Sequence, residues 1–227
     1  MREICLDTET TGLDPKDGHR IVEIGCVEII NKVRTGKTFH TYINPERDMP
    51  EEAFRIHGIS GDSLKDKPKF PAIVKDLIEF IGESKLVIHN AGFDMKFINH
   101  HLRGCNLEII ERSNVIDSLE IARSKFPGAG NSLDALCKRF GVDLSRRVKH
   151  GALLDAELLA DIYIELMGGN QITMFETLHH KKSAAEENQN STNLNSFPKR
   201  EFPLSEEDLK AHKEFILKNF KENLWGY

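Results

Sequence analysis

Apolar residues recur along the chain in blocks whose period changes from place to place. Ile4-Cys5-Leu6, Ile21 to Ile30 and Lys37 to Ile43 are short apolar or alternating runs of the kind that form strands, and Asn31-Lys32 reads as a turn between the second and third. Leu86-Val87-Ile88 is a fourth strand, short and apolar throughout. Helical spacing appears at Glu51 to Ile56, Pro71 to Ile81, Phe93 to Leu102, Ser118 to Lys125, Ser132 to Phe140 and Ala152 to Met167. Strands come first, helices later, and the fourth strand is reached through helices. That order predicts an α/β fold in which helices cover a mixed sheet. No internal repeat is visible.

The pattern breaks near residue 170. After Gly168-Gly169, residues 176 to 200 are rich in Asn, Ser, Glu, Lys and Gln and offer almost nothing to bury, which predicts disorder. Beyond them Leu209, Ile216, Phe220 and Leu224 fall close to helical spacing, and the chain ends in Leu224-Trp225-Gly226-Tyr227. About 24 residues cannot hold a fold alone, so this segment is expected to dock onto a partner. The expected organisation is a folded domain over 1–170, a flexible linker over 171–203 and a docking segment over 204–227.

Composition narrows the class. A chain of 227 residues and 25.8 kDa supports one well-cored domain with material left over. Hydrophobic residues at 39% with charged residues at 30%, and no apolar stretch near membrane-span length, exclude an integral membrane protein. Met1 to Asp7 reaches an acid before any apolar run of signal-peptide length, so the expected compartment is the cytoplasm. Cys5, Cys26, Cys105 and Cys137 lie far apart with no C-x-x-C pair, which argues for buried free thiols over a zinc site or a disulfide framework. A net charge of -5 lacks the basic excess that holds nucleic acid by counterion release. Any nucleic-acid partner must be held by a local site, by metal or by a tether.

Four carboxylates and one histidine carry the candidate chemistry. Asp7 and Glu9 stand two apart at the end of the first strand, so they share a face, with Cα atoms about 6 to 7 Å apart. Asp94 follows the fourth strand where a helix begins, a place the helix dipole favours for an acid in any case. His150 and Asp155 are five apart; in one regular helix they would diverge by about 140°, so His150 is expected on a loop before the helix. Alone, each piece has a plain structural reading. Together, acids from a strand, a helix start and a late helix can converge at a sheet edge, where their repulsion demands a cation. Oxygen ligands select Mg²⁺ or Mn²⁺, and two such ions suit in-line attack on a phosphodiester, with the histidine as proton acceptor.

Asp7-x-Glu9-Thr-Thr-Gly, His89-Asn90-x-x-Phe93-Asp94 and His150-x-x-x-x-Asp155 resemble, in order and context, the three motifs of the DEDDh 3′→5′ exonucleases. Val22-Glu23-Ile24-Gly25, Glu52 to Ile59, Asn131 to Cys137 and His150 to Ala156 are similar, more narrowly, to the proofreading epsilon-subunit family of bacterial DNA polymerase III. The resemblance covers residues 3 to about 168 and implies an RNase H-like fold. It implies Asp7, Glu9, Asp94 and Asp155 as ligands of two divalent cations, Mg²⁺ or Mn²⁺, and His150 as general base. It further implies that Glu52 and His57 join Asp7, Glu9 and Asp155 in holding the terminal nucleotide. Phe93 is a candidate to stack on or wedge against the terminal base, and Thr10 and Leu13 are candidates beside it.

Gln171-Ile172-Thr173-Met174-Phe175 resembles the short peptide by which replication proteins enter the pocket of the sliding clamp, with Gln171, Met174 and Phe175 as its contacts. The terminal segment, with Leu224 and Trp225, resembles the tail that anchors this family to the polymerase catalytic (alpha) subunit. The implied partners are DNA 3′ ends, that alpha subunit, the beta clamp and a small accessory subunit, with no membrane. An RNA-trimming exonuclease of the same superfamily, or a silent scaffold subunit, remains an alternative. Two further groups read as solvated: the basic residues of Lys138 to Lys149, which could also guide a phosphate backbone, and the pairs His100-His101 and His179-His180.

Overall fold

The computed structural model describes residues 1–145, 147, 149–168 and 205–219. The linker expected over 171–203, Gln171, Met174 and Phe175, and Leu224 and Trp225 lie outside the described residues, as do Arg146 and His179-His180. The chain divides into two units, Met1–Leu178 and His179–Tyr227. In the second, a helix spans Glu206–Asn219, and Ser205 caps it by accepting a hydrogen bond from the Asp208 amide at 3.1 Å. No helix among the described residues is long and apolar enough to cross a membrane.

The first unit is built on five strands in the order β3-β2-β1-β4-β5: β1 (Arg2–Thr10), β2 (Ile21–Ile30), β3 (Val33–Tyr42), β4 (Lys85–Ile88) and β5 (Val115–Asp117). β1, β2 and β3 form an antiparallel meander, and β4 and β5 add in parallel beside β1. The expected turn at Asn31-Lys32 is present, both residues taking positive φ (51° and 63°), which matches the twist of a tight hairpin. β4 is buried along Leu86, Val87 and Ile88, as an inner parallel strand must be.

The helices of this unit are α1 (Glu51–His57), α2 (Gly61–Leu64), α3 (Phe70–Ile81), α4 (Ala91–Gly104), α5 (Ser118–Lys125), α6 (Leu133–Phe140) and α7 (Ala152–Leu166). β1 sorts its side chains between two layers by its period of two. Ile4 and Leu6 enter one core with Phe70 and Leu77 of α3 and Phe97 and Ile98 of α4. Cys5 enters the other, with Ala156, Leu159 and Tyr163 of α7. Burying each large apolar side chain contributes about 1.5–3 kcal/mol, so both layers are held firmly to the sheet. α6 packs on the outer side of α7 through Leu136, Cys137, Leu158 and Ile162.

The expected elements are present, with differences at strand boundaries and in short segments. β1 continues through Asp7 and Glu9 to Thr10, and β3 begins at Val33, ahead of Lys37. β5 and α2 were not expected: three and four residues are too few to display a period. Cys5, Cys26 and Cys137 are buried and Cys105 is half-buried, all as free thiols.

Candidate active site

The alternation that sorts the core also builds the site. Odd positions of β1 face α7: Glu3 accepts a hydrogen bond from the Tyr163 hydroxyl at 2.8 Å, Cys5 packs beside it, and Asp7 and Glu9 follow on the same face. Thr8 faces the other way and holds Asp94: its amide and its hydroxyl both donate to Asp94 Oδ1, at 3.0 and 2.7 Å. Asp94 lies in the first turn of α4, where the helix dipole supports a carboxylate. The turn into α4 is set by Asn90, in the left-handed region at φ 64°, and by Asp117 at the end of β5. Asp117 accepts from the Asn90 and Ala91 amides at 3.1 and 2.9 Å and from Leu119 at 2.9 Å, so one carboxylate caps two helices.

Asp155 is placed by the docking of α7 on β2. A Cβ on Gly25 would lie 2.3 Å from both the Ala152 carbonyl carbon and the Leu153 nitrogen, so only glycine permits this approach. Two residues earlier, Glu23 reaches across: one oxygen accepts from the Ala152 amide at 3.0 Å and the other meets His40 Nε2 at 2.7 Å. A strand thus supplies the cap that Gly151 cannot. His150 precedes the helix, as the five-residue spacing predicts, with Nδ1 3.1 Å from Asp155 Oδ2. Single ligand atoms of Glu9, His150 and Asp155 all lie within 4.8 Å of one another, a donor set suited to a hard cation.

Charge is crowded here. Burial first, then Asp94, Glu9 and Asp155, push the Asp7 carboxyl well above the carboxylate range. Burial, with Asp155, Glu23 and Asp94, raises Glu9 to about 8. Burial also raises Asp94, to about 7, against the opposing hydrogen bonds from Thr8. Asp155 departs from this trend. Burial works to raise it, yet hydrogen bonds from Arg147 and His150 hold it below its ordinary value. Arg147 donates through Nε and Nη2 to the two Asp155 oxygens at 2.5 and 2.7 Å, reaches His150 Nδ1 at 2.8 Å, and also pairs with Asp134. Its side chain is 8% exposed, so this part of the basic run is not solvated.

A cavity of about 440 Å³ adjoins Glu9 and collects Thr10, Glu52, His57 and Phe93, together with Leu13. Phe93 packs on Phe97 with ring centroids 5.2 Å apart, and Leu13 is 78% exposed. Thr10 turns its hydroxyl onto the Gly12 carbonyl at 2.6 Å, which shapes the loop after β1. His57 Nδ1 accepts from the Ile59 amide, while its Nε2 is buried beside the loop that follows β1. Burial lowers the His57 pKa. Glu52 is exposed on α1 at the same cavity.

Four supporting residues escape a reading of the sequence. Thr8 and Glu23 lie inside motifs but have no signal of their own. Asp117 and Arg147 act on partners that only the fold brings near. His101, expected at the surface, is half-buried: its Nε2 accepts from the Ile21 amide at 3.3 Å and its ring stacks on Phe70, centroids 4.6 Å apart. Burial, with Arg20 and His100, lowers its pKa to about 4.

Comparison with known proteins identifies the family and the fold. Residues 4–163 match the Exonuclease family of the RNase T type. The DNA polymerase III subunit epsilon of Rickettsia conorii is 55% identical, over 97% of this chain and 97% of its own, and that of Buchnera aphidicola is 44% identical over 95% and 96%. Exonuclease X, solved in complex with 5′ overhanging duplex DNA, is 28% identical with a TM-score of 0.58, over 74% of this chain and 92% of that one. The nuclease domain of 3′hExo, a DEDDh family member bound to rAMP, is 21% identical and shares the fold at a TM-score of 0.65, with the same coverage. The mixed sheet and its flanking helices are thus the RNase H-like exonuclease architecture, and the chain belongs to the exonuclease family, alongside the epsilon subunits of bacterial DNA polymerase III.

Proposed function

We propose that this chain is the proofreading 3′→5′ exodeoxyribonuclease subunit of a replicative DNA polymerase III, removing mismatched 3′-terminal nucleotides as 5′-monophosphates. The observation that carries this reading is the crowding of acids: Asp7 and Glu9 are raised by burial and by the carboxylates around them, and Asp94 by burial and by Asp117, an arrangement that costs stability unless a cation compensates it. Asp7, Glu9, Asp94 and Asp155 would hold two divalent cations, Mg²⁺ or Mn²⁺. Bound there, the cations supply Lewis-acid stabilisation of the attacking and leaving oxygens.

The terminal nucleoside occupies the cavity beside Glu9. Glu52 and His57 bind its polar edge, and Phe93, Thr10 and Leu13 surround the base. Water attacks phosphorus and the bond to the 3′-oxygen of the preceding nucleotide breaks, that oxygen keeping the electron pair and taking a proton from solvent to become the new 3′-hydroxyl. His150 takes the water proton. A proton on Nδ1, donated to Asp155, leaves Nε2 as the acceptor; the Arg147 contact with Nδ1 requires the opposite tautomer, so the two contacts are alternatives. A mispaired end costs less to fray into such a single-strand site, and this supplies the preference for errors.

The remaining assignments complete the reading. Gln171, Met174 and Phe175 would bind the beta clamp, and Leu224 and Trp225 the alpha subunit, in a cytoplasmic complex that also has room for a small accessory subunit. The tether raises the effective concentration of the exonuclease at the primer end, which answers the net charge of -5. The test is release of mononucleotides from a labelled primer, paired or mismatched, with Mg²⁺ or chelator. Cleavage should favour the mismatch and stop with chelator. Asp7→Ala should abolish it, and His150→Ala should slow it by about 10²- to 10⁴-fold. A wild-type chain silent with Mn²⁺ and the alpha subunit present would make the protein a scaffold.

A further inference from the structure

A second cavity, of about 750 Å³, also reaches the reacting residues. Asp7, His150 and Asp155 line it together with Asn90, Leu119 and Arg123. It shares no lining residue with the nucleotide cavity, where Thr8 and Glu9 stand instead. The carboxylates of β1 therefore separate two spaces. A phosphodiester has two sides as well. With the terminal nucleoside on the side of Glu52 and His57, the nucleotide on the leaving-group side must lie in another space that touches the same acids.

The walls of the second cavity suit that occupant. Leu119 and Arg123 are four apart on α5 and so share a face, which puts an apolar contact beside a cation. Arg147, the other guanidinium there, is occupied by Asp155 and Asp134. Arg123 has no acid partner among the described residues, in a chain whose net charge is -5. Asn90 is exposed, makes no side-chain cap for its own helix, and lines the same space.

We infer that Arg123, with Asn90, binds the phosphate immediately 5′ of the reacting one, so that the second cavity holds the penultimate nucleotide of the strand. This rests on the exonuclease reading above. The strand then passes from the Arg123 wall, over the carboxylates, into the Glu52 and His57 cavity. A charge-assisted contact of this kind fixes register without reading sequence.

The test compares two substrates of the full chain. The p-nitrophenyl ester of thymidine 5′-monophosphate contains a terminal nucleotide and a cleavable bond but no further phosphate; a single-stranded oligonucleotide contains many. In Arg123→Gln the ratio of kcat/KM on the oligonucleotide to that on the ester should fall by about tenfold, and Arg123→Lys should restore part of it. A methylphosphonate placed only at the phosphate 5′ of the reacting one should cost the wild type a similar factor and cost Arg123→Gln little more. An unaltered ratio, an equal fall on both substrates, or a methylphosphonate penalty undiminished in the variant would overturn the inference. A wild-type chain that cleaves neither substrate removes the exonuclease reading, and this inference with it. Cleavage of both substrates with an unaltered ratio removes the inference alone.

Discussion

At the scale of single residues, the site is a place where the fold works against itself. Glu9 titrates at about 8 in the folded chain, against 4.5 as its ordinary value, and Asp94 at about 7 against 3.8. Between each pair of values the unfolded chain has released a proton that the folded chain keeps. Stability contributed by these groups is therefore lost as pH rises through that window. Without divalent cations, the melting temperature should decline between about pH 5 and 8. Glu9→Gln should flatten that decline and raise the melting temperature at pH 8 by several degrees, at roughly 2–4 °C per kcal/mol, while removing activity. Scanning calorimetry in chelator decides it: an equal slope in the variant would mean the carboxylates do not strain one another. This is the usual exchange of stability for chemistry at a reacting site.

At the scale of elements, the position of Asp155 depends on how α7 meets β2. Gly25→Ala would force the first turn of α7 away from the sheet, since the new methyl would sit 2.3 Å from its backbone. The expected result is a lower melting temperature and loss of nuclease activity together, although Gly25 touches no substrate. Glu23→Gln keeps the shape but removes the charge at the helix start, a cost of about 1 kcal/mol in such caps. Circular dichroism melts alongside single-strand cleavage would check both; a Gly25→Ala protein with wild-type stability and activity would show that α7 can shift freely. The elements also explain what could be read in advance. Asp7, Glu9, Asp94, His150 and Asp155 are visible because a strand period, a helix start and a five-residue gap each leave a mark in the chain. β5 is three residues long and leaves none, so Asp117 carries no signal in the sequence. Glu23 and Ala152 are 129 residues apart, and no local pattern joins them. Arg147 reads as one cation of the basic run from Lys138 to Lys149, and only its burial against Asp155 distinguishes it.

For the whole molecule, the proposed division of labour separates cutting from delivery. Removing residues 204–227 should leave hydrolysis of free single strands intact and abolish association with the alpha subunit, read by analytical size exclusion. Gln171→Ala with Phe175→Ala should in turn reduce clamp binding alone. Association surviving both changes would place the contacts on the folded domain. The crowding of the acids has one more consequence, for the solution around the protein. At neutral pH a cation entering the proposed metal site would meet carboxyl groups that still hold protons, with Glu9 and Asp94 the clearest cases. Loading would then be an exchange, metal in and hydrogen ions out, so the heat measured on binding should depend on the buffer that absorbs them, and acidification should empty the site by the same equilibrium that fills it.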